Sequence, residues 1–389
     1  MFRILLTSSV LGLTWCQSAF AADAQVESLI QTICQVGPKG AGHVAAVEAQ
    51  RELSRVDVAH LIDVLTGMRG ADKLSRNWLR AAVESIVSRH TQAGGQLPVQ
   101  ELEAFLVDLD NDAHARRLAY ELIYSADPTA EARLIPQFIN DPSLELRRDA
   151  VRLALDEAEQ LEKQGLRDKA IVSFRRALNG ARDEAQIKSA AESLRRLGQK
   201  VDVASHFGFI QQWHIAGPFD NTDTQGFDVA YPPEDKVQLD AVMPGKNGDV
   251  SWKHYTTDDE YGLVDLTKAL DKHKGAIAYA FTEFVAAEPR QVELRLGCIN
   301  ANKIWLNGKL LTANNVYHAG SYIDQYVTAG QLQKGKNQIL LKIAQNEQEE
   351  PWAQRWEFQF RVCDEFGTAV LSQDRPLAQT ARLFRTPTR

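Results

Sequence analysis

The sequence has no apolar run long enough to cross a bilayer. Its opening greasy stretch, residues 4–13, falls well short of the ~20 residues that a spanning helix needs. Nor does it carry a dense basic cluster. With 44 Lys and Arg against 51 Asp and Glu, the formal net charge is -7, which argues against nucleic acid or an anionic membrane surface as the main partner. Cysteine is scarce, at 4 in 389 residues, and the nine histidines are scattered, so no zinc-ligand spacing is met. A nucleophile elbow, a Gly-rich phosphate loop and a dinucleotide fingerprint are all missing. What remains is a chain of globular composition, 44% hydrophobic and 24% charged, with room for two or three domains.

The first residues speak to compartment. Arg3, the short apolar core and the small-residue site Ala19-Phe20-Ala21 have the form of a secretory signal peptide. Cleavage is expected after Ala21, with export to the periplasm or beyond. Cys16 follows Trp15, whereas a lipidated cysteine normally follows a small residue, so lipidation is disfavoured. Cys34, Cys298 and Cys363 would then remain. Val292, Leu294, Leu296 and Cys298 share one strand face, whereas Phe358, Phe360 and Val362 leave Cys363 on the other. That parity speaks against a Cys298 to Cys363 bridge, although a twisted strand end would still permit one.

Apolar residues at three- and four-residue spacing run from residue 44 to 198 and predict helices. A repeat underlies them: Asp110, Arg116, Arg117, Ala119 and Leu122 recur as Asp141, Arg147, Arg148, Ala150 and Leu153, each 31 positions on. Such a period implies stacked helical hairpins, an α-solenoid in which each unit buries its apolar stripe on the next. The turn Asn140-Asp141-Pro142-Ser143, followed by Arg147 and Ala150, resembles the inter-hairpin turn of HEAT repeats. Ala158, Gly165, Ala170, Phe174 and Ala177 resemble the small and aromatic positions of a tetratricopeptide repeat. Asp108, Asp110 and Asp112 alternate like a calcium loop, but Ala113 and Ala119 stand where Gly and Glu are needed, so they read as helix caps.

Near Asp202 the texture changes to short alternating runs with Gly, Pro and Asn turns. The expected organisation is a signal peptide at 1–21, a helical repeat domain at 22–200, an antiparallel β-sandwich at 201–375 and a tail at 376–389. Trp213 and Ile215 look like an entering strand. Further strands are expected at 276–284, 291–297, 303–306, 338–343 and 357–362, with Asn307-Gly308 as a hairpin turn. The run Lys303-Ile304-Trp305-Leu306-Asn307-Gly308-Lys309, then His318, Gly320 and Tyr322, then Lys334-Gly335 and Asn337, resembles the galactose-binding-like jelly roll. That fold is found at the front of family 2 glycoside hydrolases and in carbohydrate-binding modules. The resemblance covers about the last 180 residues and implies a fold more than a ligand, since its motifs are framework. The whole layout is similar to secreted bacterial HEAT-repeat proteins that carry such a sandwich.

Sugar sites combine aromatic faces with amides and carboxylates. Two loops offer that mixture: Trp252, Tyr255, Asp259 and Tyr261 in one, and Asn346, Glu347 and Trp352 in the other. Trp352 is the leading candidate, an indole in a polar loop; Trp213 and Trp356 read as core. The loop around His318 is a third possibility, with packing the favoured role. Asn221, Asp223 and Asp228 offer oxygens for a structural calcium, but their spacing departs from an EF-hand and a plain polar loop is the favoured reading. No catalytic residues are assigned. The expected function is a non-catalytic exported binding protein, its sandwich holding glycan and its helical arm gripping protein or acting as a spacer. A purely protein-binding adaptor of the envelope is one alternative. A glycoside-processing enzyme using carboxylates of the second domain, such as Asp259, Glu260 or Glu347, is the other. Edman sequencing of the exported chain should begin at Ala22; a secreted product that still starts at Met1 would contradict the signal reading.

Overall fold

The computed structural model describes residues 24–375; the expected signal peptide, Cys16 and the tail at 376–389 lie outside them. The chain divides into two compact units at Ala181/Arg182. Helices make up the first, and antiparallel sheets dominate the second.

The first unit comprises α1 (24–33), α2 (His43–Leu53), α3 (Leu61–Thr66), α4 (Lys73–Gln92), α5 (Val99–Val107), α6 (Ala113–Ala126), α7 (Ala130–Leu134), α8 (Leu144–Lys163) and α9 (Arg167–Gly180). The starts of α4, α6 and α8 are capped by short polar side chains. Asp72 accepts from the Ser75 amide at 2.7 Å, and Asp112 accepts from His114 and Ala115 at 2.9 and 3.1 Å. The Asp108–Asp112 run therefore serves helix geometry: Asp112 caps α6, while Asp108 closes a turn on the Asp110 amide. Leu79, Val83, Ile86, Leu106, Ala119, Ile123, Leu146 and Ala150 belong to one apolar cluster. Ala158, Ala170, Phe174 and Ala177 are buried where α8 meets α9. At Gly180 on α9 a Cβ would lie 2.6 Å from Ile139 Cγ1 on the turn before α8 and 3.2 Å from Val151 Cγ2 on α8.

The 31-residue repeat has a physical counterpart. Arg116 is fully buried and grips Asp141, the first member of the next repeat, through two bonds of 2.9 and 2.7 Å. Its Nε donates to the Leu106 carbonyl. Arg147, the equivalent of Arg116, donates to the Asp141 and Asn140 carbonyls at 2.8 Å each. Ser143 caps α8, which leaves Asp141 free to receive Arg116. Asp110, the earlier counterpart of Asp141, is exposed; there Arg76 reaches Asp112 instead, at 3.2 Å.

The second unit begins with α10 (Glu184–Arg196) and α11 (Val203–Phe207). The residues from 182 to 200, expected with the helical domain, thus belong to the compact unit of the sheets. Periodicity could not show this, because a helix keeps its spacing whichever core it joins. The side chains do: Arg182 bonds Thr368 at 3.1 Å, Arg195 bonds Glu260, and the Phe207 carbonyl accepts from Arg361 at 3.0 Å.

The strands are β1 (Gln212–Asp220), β2 (Val242–Gly245), β3 (Gly248–Ser251), β4 (Lys253–Thr256), β5 (Val264–Asp265), β6 (Ala276–Ala286), β7 (Arg290–Cys298), β8 (Ala301–Leu306), β9 (Lys309–Asn314), β10 (Tyr326–Leu332), β11 (Gly335–Gln345) and β12 (Glu357–Cys363). A one-turn helix, α12 (Pro232–Asp235), precedes β2, and α13 (Leu266–Leu270) follows β5. The large sheet runs β4-β1-β6-β11-β8-β9 and the smaller one β10-β7-β12-β5, while β2 and β3 form a separate hairpin. Residues of both large sheets share one apolar cluster, with Trp213, Ile215, Ala280, Leu296, Ile304, Leu341, Phe358 and Phe360 among its members. Trp213 stands edge-on to Phe358 and Phe360 with centroids 5.2 and 5.8 Å away, and Trp356 is fully buried. Both are core, as read from the sequence.

Every strand expected from the sequence is present, extended by one to several residues. The framework motifs turn out to bond each other. Asn307 and Gly308 take positive φ, 51° and 78°, as the hairpin requires. Asn307 Nδ2 then donates to Asn337 Oδ1 at 2.9 Å. Fully buried Asn337 closes the Lys-Gly-Lys-Asn turn through the Gln333 amide and carbonyl, at 2.8 Å each. Cys298 and Cys363 are free and buried. Cys298 lies opposite Phe358 and Cys363 opposite Glu293 on the same strand pair, β7 and β12, on opposite faces of the sheet.

Removing one partner of a buried ion pair strands the other charge, which costs about 3–5 kcal/mol. Arg116→Ala should therefore destabilise the helical unit by about that much in urea unfolding followed by helical circular dichroism. The apolar double variant Arg116→Met, Asp141→Leu should recover most of the loss. Equal destabilisation of the single and double variants would show that the pair's charge is not what matters.

Candidate functional site

At one end of the sheets, three loops and a glycine meet. Asn346, Glu347 and Trp352 lie on the loop between β11 and β12. The Trp352 indole, on a short 3-10 turn (Pro351–Ala353), is 55% exposed. It is not loose, because the His318 ring stands edge-on against it with centroids 4.9 Å apart at 87°. His318, at φ 60°, comes from the loop between β9 and β10. Its Nε2 lies 3.1 Å from Asn346 Oδ1, and its backbone amide donates to Ile299 at 2.8 Å. The Gln348 amide also donates to Asn346 Oδ1, whose own amide nitrogen donates to Gln348 Oε1 at 2.7 Å. That set of bonds makes Asn346 Oδ1 an acceptor, so His318 Nε2 carries the proton.

The segment after β1 joins them. Asn221 is fully buried, and its Nδ2 donates to Tyr317 Oη at 3.1 Å and to the Gln345 carbonyl at 2.9 Å. Glu347 accepts from the Asp223 amide at 3.1 Å. Gly275 ties the cluster at the start of β6: its amide donates to Asn346 and its carbonyl accepts from Asn221. A Cβ there would come within 2.8 Å of Glu347 Cγ, on a backbone already at φ +54°, so only glycine fits without displacement. Burial pushes the Tyr317 phenol up, while the Asn221 bond opposes it. Lys274 anchors the β11–β12 loop from behind, donating to the Gln348 and Ala353 carbonyls at 2.6 and 2.9 Å; burial holds its ammonium below the ordinary lysine value. Beside Lys274 lies a polar cavity of about 480 Å³ that includes Gln354, Arg355 and Glu357 in its wall.

The other sequence candidates do not join this cluster. Trp252, Tyr255, Asp259 and Tyr261 were read as one loop, but residues 253–256 are strand β4, and alternation sends neighbours to opposite faces. Trp252 is 9% exposed on the outer face of the large sheet, with Phe281 edge-on at 6.2 Å. Tyr255 packs on the core between the sheets. Tyr261 sits against Phe207 and under the Lys188 ammonium, 4.8 Å from its ring centroid. Asp259 is a turn former whose Oδ1 accepts from the amides of Tyr261 and Leu263. These four are placed for packing and turn geometry, so the expectation of a sugar platform there is withdrawn.

The calcium candidates diverge as well. Asn221 directs its amide group at Tyr317 and Gln345, Asp223 offers its backbone to Glu347, and the Asp228 side chain is 85% exposed near Lys303. No group of three or more His, Cys, Asp or Glu among the described residues is arranged to hold a metal. The acids considered for catalysis are likewise apart in role: Glu260 pairs with Arg195, Asp259 forms its turn, and Glu347 bridges to Asp223. A feature that sequence reading missed is a groove of about 850 Å³ between the edge strands β9 and β10, with Arg290, Asn307, Lys309, Gln331 and Phe366 on its walls. Local periodicity does not mark it, because a groove between two edge strands depends on how the sheets are arranged in space.

Asp324 pins the loop that carries His318. It accepts from Arg361 Nε at 2.6 Å and from Arg295 at 2.7 Å, at a positive φ of 60°. Burial pushes its carboxyl up, but the Arg361 bond and the charges of Arg361 and Arg295 prevail and hold it below the ordinary aspartate value.

No family model matches the chain, and no curated protein matches its sequence. Among solved structures it is similar to a beta-glucosidase from Kluyveromyces marxianus at 14% identity and TM-score 0.24, over 39% of this chain and 16% of that one. A Faecalibacterium prausnitzii beta-glucuronidase matches at 17% identity and TM-score 0.22, over 35% of this chain and 21% of the other. An anti-sigma factor domain-containing protein from Clostridium clariflavum matches at 7% identity and TM-score 0.24, over 43% and 50%. The chain thus spans 16% and 21% of the lengths of the two glycosidases and 50% of the third protein.

A depressed carboxyl stabilises the fold fully above its unfolded value, near 3.9 for Asp, and that contribution is lost as pH falls through the lower folded value. Asp324→Asn should thus lower thermal stability at neutral pH, with asparagine tolerating the positive φ. The gap from the parent should narrow below about pH 4. A gap that is constant from pH 7 to pH 3 would exclude this linkage.

Proposed function

We propose that this chain is a non-catalytic exported binding protein whose second unit, a galactose-binding-like jelly roll, holds a glycan across Trp352. The observation that carries the reading is the braced, half-exposed indole: His318 stands against its ring and Asn346 holds His318 in turn. Stacking on the apolar face of a pyranose needs a broad aromatic surface held still before the ligand arrives, so that little freedom is lost on binding. Asn346 and Glu347 supply amide and carboxylate groups beside it for hydroxyls. The helical unit reads as HEAT-like stacked hairpins, a spacer or a grip for a protein partner.

Binding is favoured over hydrolysis of the glycan by the acids themselves. Two carboxyl groups must flank one bond for glycoside cleavage, whereas Asp259, Glu260 and Glu347 each serve a separate turn or bridge.

Affinity electrophoresis of the purified chain in gels cast with plant, algal and bacterial cell-wall polysaccharides tests the proposal. Retardation is expected in at least one, and Trp352→Ala should weaken it about tenfold, the worth of one aromatic stack, with unfolding unchanged because the indole is half exposed. Release of reducing ends, or undiminished retention of Trp352→Ala, would overturn the reading. So would failure of every polysaccharide to bind at millimolar sugar, combined with one stoichiometric protein partner in crosslinked envelope extract.

A further inference from the structure

Away from the Trp352 loops, the outer face of the large sheet carries two histidines on adjacent strands. His214 on β1 lies directly opposite His254 on β4, and their ring centroids are 5.5 Å apart at 77°. β4 is the edge strand of that sheet. His254 is exposed and His214 half-buried, so the pair has one anchored ring and one that reaches solvent. The anchoring comes from Phe281 on β6, directly opposite His214 with centroids 6.4 Å apart. Phe281 in turn contacts Trp252.

We propose that His214 and His254 form a two-imidazole site for a late first-row divalent ion, Cu²⁺ in preference to Zn²⁺, with solvent completing the coordination. The geometry supports chelation from one side. Imidazole nitrogens meet such an ion at about 2.0–2.1 Å, and each ring nitrogen lies roughly one bond length from its centroid. Two rings at this separation can therefore turn nitrogens toward a common point over the sheet edge without moving the backbone. Cross-strand pairing fixes the two Cα positions in advance, which removes most of the ordering cost. Metal binding requires the neutral imidazole, and burial together with the neighbouring His254 holds His214 below the ordinary histidine value. The Glu283 carboxylate on β6 acts in the opposite direction, and it is itself paired with Lys336 from β11 at 2.8 Å. Two nitrogens without a bound carboxylate select by the Irving–Williams order, in which Cu²⁺ stands highest. The site is independent of the glycan reading, since it shares no residue with the Trp352 cluster.

The test uses the full chain without an affinity tag, titrated with copper(II) chloride and, separately, zinc and manganese chlorides. One Cu²⁺ per chain is expected, with quenching of tryptophan fluorescence through the nearby Trp252, weaker Zn²⁺ binding and no Mn²⁺ binding. The electron paramagnetic resonance spectrum of the copper form should carry hyperfine structure from two imidazole nitrogens. His254→Ala and His214→Ala should each weaken Cu²⁺ binding about tenfold or more, as loss of a ligand must exceed the cost of losing its support. His254 lies exposed on an edge strand, so its variant separates loss of a ligand from loss of fold. His114→Ala, on an exposed position of α6, should leave binding unchanged. Copper uptake unaltered in His254→Ala, uptake lost in His114→Ala, or a spectrum with one nitrogen would overturn the proposal.

Discussion

The second unit hangs on the pairing of β6 with β11. Both strands are 11 residues long and register from Gly335 opposite Ala286 to Gln345 opposite Ala276 without a slip. From Ile339 to Gln345 on β11, and from Ala276 to Thr282 on β6, the strands are buried on both faces. Ala278, Ala280, Ile339, Leu341 and Ile343 enter the core between the sheets, while Ile277, Tyr279, Phe281 and Leu340 enter a second apolar layer. A one-residue slip would exchange these two sets and place Lys342 in the inner core. Because the ladder cannot slip, its ends are fixed points. Gly275 before β6 and Asn346 after β11 are consequently held beside each other, and the Trp352 loop starts from that junction.

Lys342 shows how the second layer is closed. It is fully buried on the outer face of β11, and its ammonium donates to the Phe227 and Val229 carbonyls and to Glu234, at 3.0, 2.7 and 2.7 Å. Tyr279 donates to the same carboxylate. The segment from 227 to 234 is thus drawn onto the sheet by one charge, with Phe219, Phe227 and Trp252 packed in the same apolar layer. Arg361 with Asp324 does the same for the loop that bears His318, and Arg116 with Asp141 for successive helical repeats. Buried charges of this kind specify position more than they stabilise, since a well-packed apolar replacement is often as stable. In this molecule they fix loops and turns.

The order of helices then strands was legible because period 3.6 and period 2 are properties of local sequence. Trp356, Phe358 and Phe360 could be assigned to the core by parity, Trp213 by its place in an entering strand, and Asn307-Gly308 to a hairpin turn by its tolerance of positive φ. The Arg116 and Arg147 repeat was visible, but not that Arg116 would seek the aspartate 25 residues on, because the separation in space of two repeats is not written in either. β9 and β10 went unseen. They are edge strands with one open side, so Leu310 and Val327 are 46% and 51% exposed and the alternation that marks a half-buried strand is blurred.

The sequence by itself determined which residues are framework and which side chains of each strand point the same way, for these follow from backbone period and turn chemistry. It also marked Trp352 as an indole with no strand to belong to. Only the tertiary structure decided the company it keeps. His318 and Asn221 lie 34 and 131 positions before Trp352, and they come to its loop because three sheet connections end at the same rim. The same assembly separated Trp252 from Tyr255, which are neighbours in sequence but lie on opposite faces of one sheet. Chain proximity carries no information about which side of a sheet a side chain occupies until the strand's register is set.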